Sequence, residues 1–227
     1  MRRKRCDTGK MNVCGIDETG RGPVLGPMVI GCVVLNEDGR KKLRALNVRD
    51  SKKVPHQRRV ELEPQIKEIA VEWKLVKVQA HEIDYMRKKI SLNQIEAVKM
   101  AELITSLGCK PKKVIVDAAD PVAENFKLRI IKCLRELGAE IPEIVSEHKA
   151  DDNYIEVSAA SIIAKVERDR DIDILRKEHG EIGSGYLSDE VTQRFIKNLK
   201  REGKEMPHYL RKSWDITVIS QTRLGEY

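Results

Sequence analysis

A chain of 227 residues is long enough to bury a full core, as one large domain or as one domain with a small appendage. Its 43 Lys and Arg outnumber 36 Asp and Glu, for a net charge of +7, which favours a polyanionic partner, most simply nucleic acid. An aromatic content of 4% argues against base stacking as the main binding device, and no apolar run reaches membrane-spanning length.

Met1 to Lys10 is a basic lead-in without the apolar core of a signal peptide. Val13 to Ile16 reads as a short buried strand, and Met28 to Leu35 as a second, closed by a turn at Asn36-Glu37-Asp38-Gly39. Lys41 to Leu46 and His56 to Ala70 have helical spacing, the latter with Pro64 placed to break or kink it. Between them lies a polar loop, Asp50-Ser51-Lys52-Lys53. Val71 to Ala80 alternates like a strand, so the first three strands suggest an antiparallel meander.

From His81 onward helices alternate with strands, which implies parallel pairing. Leu92 to Leu107 is an amphipathic helix stopped by Gly108, and Val114 to Val116 is a strand ending in Asp117. Ala123 to Leu137 is a helix closed by Gly138, followed by a strand from Ile144 to Ser146. Tyr154 to Lys177 reads as a long helix. It opens on small residues that permit close approach to the sheet and ends in solvated charge, Glu167 to Asp171. A helix from Ser188 to Arg201 and a basic tail complete the chain. The expected fold is α/β: a five-stranded mixed sheet flanked by helices, residues 1–178, with a small C-terminal helical segment, 179–227.

Five cysteines (Cys6, Cys14, Cys32, Cys109, Cys133) form no C-x-x-C pair and read as reduced, buried side chains of an intracellular protein.

The chemistry centres on Gly15-Ile16-Asp17-Glu18-Thr19-Gly20-Arg21-Gly22. An apolar run ends in adjacent carboxylates and passes into a glycine-rich turn. Carboxylates beside such a turn can hold a hard divalent cation, while Arg21 and turn amides can meet a phosphate. Asp117 ends another strand, and in α/β sheets ligands collect outside the carboxyl ends of strands. Asp151-Asp152 precedes the long helix in a loop that could reach the same edge. Such a cluster suits two Mg²⁺ or Mn²⁺ ions, roughly 3.5–4 Å apart in enzymes of this kind. Adjacent strand residues point to opposite faces, so Asp17 is the stronger choice for a bridging ligand and Glu18 the weaker. For each acid taken alone, a helix cap, a turn or surface charge is the competing reading.

Together these residues resemble the type 2 ribonucleases H (ribonuclease HII), particularly the archaeal form. The resemblance runs through Leu25-Gly26-Pro27, Asp50-Ser51-Lys52, Val116-Asp117, Lys149-Ala150-Asp151, Ser158 to Lys165, Gly183-Ser184-Gly185-Tyr186 and Arg211-Lys212-Ser213-Trp214. Thr19 departs from it, standing where the family usually carries a small apolar residue. The resemblance implies an RNase H-like fold. It also implies a Mg²⁺- or Mn²⁺-dependent endonuclease that cuts RNA in RNA–DNA hybrids and cuts 5′ of single ribonucleotides in duplex DNA. The family's metal-binding, catalytic acids fall on Asp17, Glu18, Asp117 and Asp151. Its 2′-hydroxyl reader falls on Gly20, Arg21 and Gly22, and its junction tyrosine on Tyr186. Lys52 and Arg211 are candidates for phosphate contacts. Ser158 and Ser161 share a helical face that binds phosphate or serves close packing. Gln221, Leu224 and Tyr227 form a shortened version of a sliding-clamp-binding pattern. A cytoplasmic monomer is expected.

Two other readings stay open at this stage. One is a nucleotide-binding enzyme using Gly20 to Gly26 as a phosphate loop, although the Gly-Lys-Ser/Thr ending is missing. The other is a non-enzymatic nucleic-acid binder in which the acids are structural.

Overall fold

The two apolar runs become β1 (Val13–Thr19) and β2 (Met28–Leu35), paired antiparallel with Ile16 opposite Cys32 and Asp17 opposite Gly31. In this computed structural model, residues 12–48, 54–203 and 205–215 are described. β4 (Lys113–Asp117) lies parallel to β1, and β5 (Glu143–Glu147) parallel to β4. With β3 (Glu72–Val78) at the other edge, the order is β3-β2-β1-β4-β5, the five-stranded mixed sheet expected.

The longer helices are α1 (Glu37–Ala45), α2 (His56–Ile69), α4 (Leu92–Ser106), α5 (Ala123–Glu136) and α7 (Ile155–His179), and, in the C-terminal part of the chain, α8 (Glu190–Arg201). The parallel step from β4 to β5 is made by α5, because parallel strands need a crossover. The expected turn at Asn36 to Gly39 is instead the capped first turn of α1. The Asn36 side chain accepts from the Gly39 amide at 2.8 Å, satisfying one of the orphan donors of that end. Pro64 lies inside α2 without ending it.

Two helices depart from expectation. α3 (Ala80–Arg87) starts where the alternating strand was expected to finish, held by a reciprocal cap between Gln79 and Glu82. α6 (Ala150–Asn153) carries Asp151 and Asp152, expected in a loop. Both are short, and α3 buries only Ala80 and Ile83, so neither writes a helical period long enough to read.

The chain divides into two compact units. The first comprises residues up to Thr19, Val29–Val76 and Ser91–Glu167; the second comprises Gly20–Met28, Lys77–Ile90 and Arg168 onward. The first is centred on a core that includes Val33, Leu35, Leu43, Leu62, Ile66 and Ile162. Here the small residues at the start of α7 do what their size suggested. A Cβ on Gly15 would stand 2.1 Å from the Glu156 carbonyl carbon, and one on Gly31 would stand 2.4 Å from the Ala160 oxygen. Helix backbone therefore lies directly on β1 and β2, and only glycine fits between. The second unit has its own core of Val24, Leu25, Ile172, Ile182, Ile196 and Leu210.

Cys14, Cys32 and Cys133 carry buried free thiols, the first two with Sγ atoms 3.1 Å apart.

Candidate active site

Strand pairing brings the acids of the first unit together. The β1–β4 register runs to Ile16 opposite Val116, so the next positions along the two parallel strands are Asp17 and Asp117. Asp117 Oδ1 then accepts from the Ala150 amide at 3.0 Å, which ties the end of β4 to the first residue of α6 and so positions Asp151. Asp17 and Asp151 are buried, at 4% and 1% exposure. The Asp17 carboxyl is pushed well up, first by burial, then by the charge of Glu18, with further contributions from Asp117 and Asp151; a hydrogen bond from Ser161 opposes this. The Glu18 amide also donates to Asp17 Oδ1 at 2.8 Å.

Glu18, Asp117 and Asp151 thus all act on the buried Asp17 carboxyl. Among the described residues no three His, Cys, Asp or Glu side chains are already closed into a metal-ligating shell. The donors these acids offer are all oxygen, the type that suits a hard divalent ion. β1 stays regular through Glu18, so Asp17 and Glu18 keep the opposed strand directions that made Glu18 the weaker choice.

The second unit assembles the glycine loop from three stretches far apart in sequence. The Val24 amide donates to the Gly185 carbonyl at 2.7 Å, the Gly26 amide to Tyr209 at 2.9 Å, and the Arg211 amide to Val24 at 2.8 Å. Gly20 and Gly26 sit at φ +79° and +80°, the left-handed region where a side chain is strained. Tyr186 lies against the loop; a Cβ on Gly22 would stand 3.3 Å from its Cε1. The tyrosine is nonetheless 45% exposed, so one side of the ring faces solvent. Trp214 donates from Nε1 to the Gly22 carbonyl at 3.0 Å.

Arg211 is fully buried. Its guanidinium donates to the carbonyls of Gly20 at 2.5 Å, Arg21 at 2.9 Å and Gly26 at 3.1 Å. Those donors are spent on the loop, so Arg211 holds the loop in shape rather than reaching a phosphate itself, as the sequence had suggested. Burial and the neighbouring Arg168 pull its guanidinium down to about 9, which still leaves it cationic at neutral pH.

Ser158 and Ser161 are also fully buried, which favours close packing over phosphate contact for both; Ser161 is the donor to Asp17. Lys52 and the Gln221-Leu224-Tyr227 pattern lie outside the described residues.

Two positions that shape the loop were not singled out from sequence. Asp84, on α3, accepts from the amides of Lys212 and Ser213 at 2.7 and 2.9 Å, fixing the segment that carries Arg211. Arg168, read as solvated charge, is only 7% exposed and packs beneath Gly20. A charge run on a helix hides which of its members turns inward; four-residue spacing of Arg168 with Ala164 and Ile172, both buried, was the available clue.

A sequence profile described as Ribonuclease HII matches residues 14–217. Ribonuclease HII from Methanobrevibacter smithii is 46% identical over 208 residues, spanning 90% of this chain and 95% of that one. In three dimensions the chain is similar to ribonuclease H2 from Pyrococcus horikoshii OT3, with a TM-score of 0.82 at 39% identity, covering 92% of this chain and 97% of that one. It is also similar to the ribonuclease HII of the PCNA:RNase HII complex from Archaeoglobus fulgidus, with a TM-score of 0.80 at 36% identity, covering 89% and 95%. The acids at the ends of β1 and β4, and the glycine loop beyond them, therefore sit in a chain that belongs to the ribonuclease HII family, ribonuclease H endonucleases that act on RNA–DNA hybrids.

Proposed function

We propose that this chain hydrolyses the RNA strand of RNA–DNA hybrids and also cuts on the 5′ side of single ribonucleotides embedded in duplex DNA. Asp17, Glu18, Asp117 and Asp151 would hold two divalent cations, Mg²⁺ or Mn²⁺. When bound, such a pair supplies the positive charge that favours attack by water and departure of the 3′-oxygen. The observation that carries this reading is the β1–β4 register that sets Asp17 and Asp117 at adjacent strand ends, with Asp117 bonded to the amide of Ala150 beside buried Asp151.

The rest of the chain supplies selection. Gly20, Arg21 and Gly22 present backbone to the 2′-hydroxyl, the one group that distinguishes RNA from DNA at a single nucleotide. Tyr186, partly exposed beside Gly22, packs on the following sugar and favours a deoxyribose over a ribose there by crowding. The C-terminal segment 179–227 serves substrate binding, and Lys52 contacts a phosphate. The enzyme works as a cytoplasmic monomer. Among the described residues no helix is long and apolar enough to cross a membrane. The Archaeoglobus relative's complex with PCNA supports a second role for the Gln221-Leu224-Tyr227 pattern, docking on a sliding clamp.

The test is a duplex containing one ribonucleotide, incubated with Mg²⁺, Mn²⁺ or chelator, with products mapped at single-nucleotide resolution. Cleavage only with the cation and only 5′ of the ribonucleotide is expected. A cut that persists in chelator would sink the metal reading, and one at all-DNA positions would sink the sugar-reading loop. Loss of clamp affinity on removing the final seven residues checks the docking role.

A further inference from the structure

Buried arginines are normally paired, because an unpartnered charge away from water is costly. Beneath the Gly20–Gly26 loop two buried arginines have no salt bridge among the described residues. Arg211 is fully buried, and its guanidinium donates to the neutral carbonyls of Gly20, Arg21 and Gly26. Arg168 is 7% exposed, and its Nε and Nη2 are buried without a hydrogen-bond partner among the described residues. Its side chain lies against the loop: a Cβ on Gly20 would stand 2.6 Å from both Arg168 Cδ and Nε. The two guanidiniums repel, for Arg168 is a cause of the lowered Arg211. Tyr186, Asp169 and Asp171 support the Arg168 charge only in part, against burial and Arg176. With no side chain on Gly20, only backbone separates the Arg168 cation from whatever lies on the loop.

We propose that Arg168 is the source of an anion site at the Gly20–Gly26 loop, attracting a phosphodiester group of the bound strand, with Arg211 holding the loop over it. This rests on the reading of the loop as substrate-binding and adds to it a phosphate-attracting function for a residue of α7. A fixed cation behind Gly20, which has no side chain of its own, draws phosphate without regard to the sugar. Its contribution is therefore shared by ribonucleotide-containing and all-DNA duplexes and weakens with salt.

The test uses the full chain carrying Asp17→Asn, which binds without cutting, and measures affinity across a salt series for two duplexes, one with a single ribonucleotide and one of DNA alone. Adding Arg168→Gln should lower affinity for both by about tenfold at low salt and make the log–log salt slope shallower by about one, whereas Arg168→Lys should keep the slope. An unchanged slope with Arg168→Gln overturns the proposal. If the glutamine variant does not fold, the Arg168 Nε–H resonance of the Asp17→Asn chain decides. Inorganic phosphate at constant ionic strength should shift it, and an unmoved resonance overturns the proposal. Failure of the loop reading shows separately, as equal affinity of the Asp17→Asn parent for the two duplexes. In that event the salt slope on DNA alone still judges Arg168.

Discussion

At the end of β1, Asp17 sits among Glu18, Asp117 and Asp151, and its carboxyl is pushed up; beneath the glycine loop, Arg211 and Arg168 crowd each other, and their guanidiniums are pulled down. Sequence separates these two regions by only Thr19. One accumulates buried negative charge, the other buried positive charge, and each does so within its own compact unit. A folded chain accepts such imbalance where function requires it, since neutral residues of similar size would be more stable in both places. Under the proposed function the acidic region would take cations, and the basic one the polyanion those cations act on.

The sharpest way to break the comparison is Asp17→Asn. Removing one carboxylate should reduce cleavage by about a thousandfold or more, since charge stabilisation of this kind amounts to several kcal/mol. Binding of the hybrid should persist. The metal-free variant should melt higher than the parent, because a carboxyl raised by burial destabilises the fold at neutral pH, a penalty that fades as pH falls through its folded value. Calorimetry and a cleavage assay check both halves; retained cleavage would remove Asp17 from the mechanism.

Gly15→Ala comes next. Its Cβ would meet Glu156 and Val157 backbone at 2.1 and 2.3 Å, contacts that no rotamer change relieves. A destabilisation of about 3 kcal/mol or more is expected in denaturant melts. Asp84→Ala leaves the acids alone and acts on the basic region. It releases two amides and the Ser213 hydroxyl, for a loss of about 1 kcal/mol, as these bonds are exposed. Hydrogen exchange should quicken at Lys212 and Ser213.

The smallest effect concerns Asp189, which caps α8 and accepts from the Ser184 amide. Its carboxyl is held down at about 2, chiefly by the Ser184 bonds. That is below the ordinary aspartate value near 4, so its stabilisation is present above about pH 4 and lost as pH falls through about 2. Asp189→Asn should cost about 1 kcal/mol at neutral pH and flatten this part of the acid limb.

Much of this was written locally. The strands at Val13 and Met28 and the helix at Leu92 follow from runs of apolar residues and their spacing, and the mixed sheet follows from the change of pattern after His81. Asp17, Glu18 and Asp117 could be placed at strand ends for the same reason. α3 and α6 could not, being too short to write a period, and the capped start of α1 reads like the turn it replaces.

The amino-acid order by itself determined which residues are candidates for the chemistry, because carboxylates at strand ends beside a glycine-rich turn suit a cation and a phosphate. Tertiary structure alone decided how they are held. It put Ser161 on Asp17, spent Arg211 on loop carbonyls, joined Asp84 to Lys212 and Ser213, and turned Arg168 inward beneath Gly20. Burial and partners at separations of more than a hundred residues depend on how strands and helices pack, and a one-dimensional pattern records only which side chains are available for it.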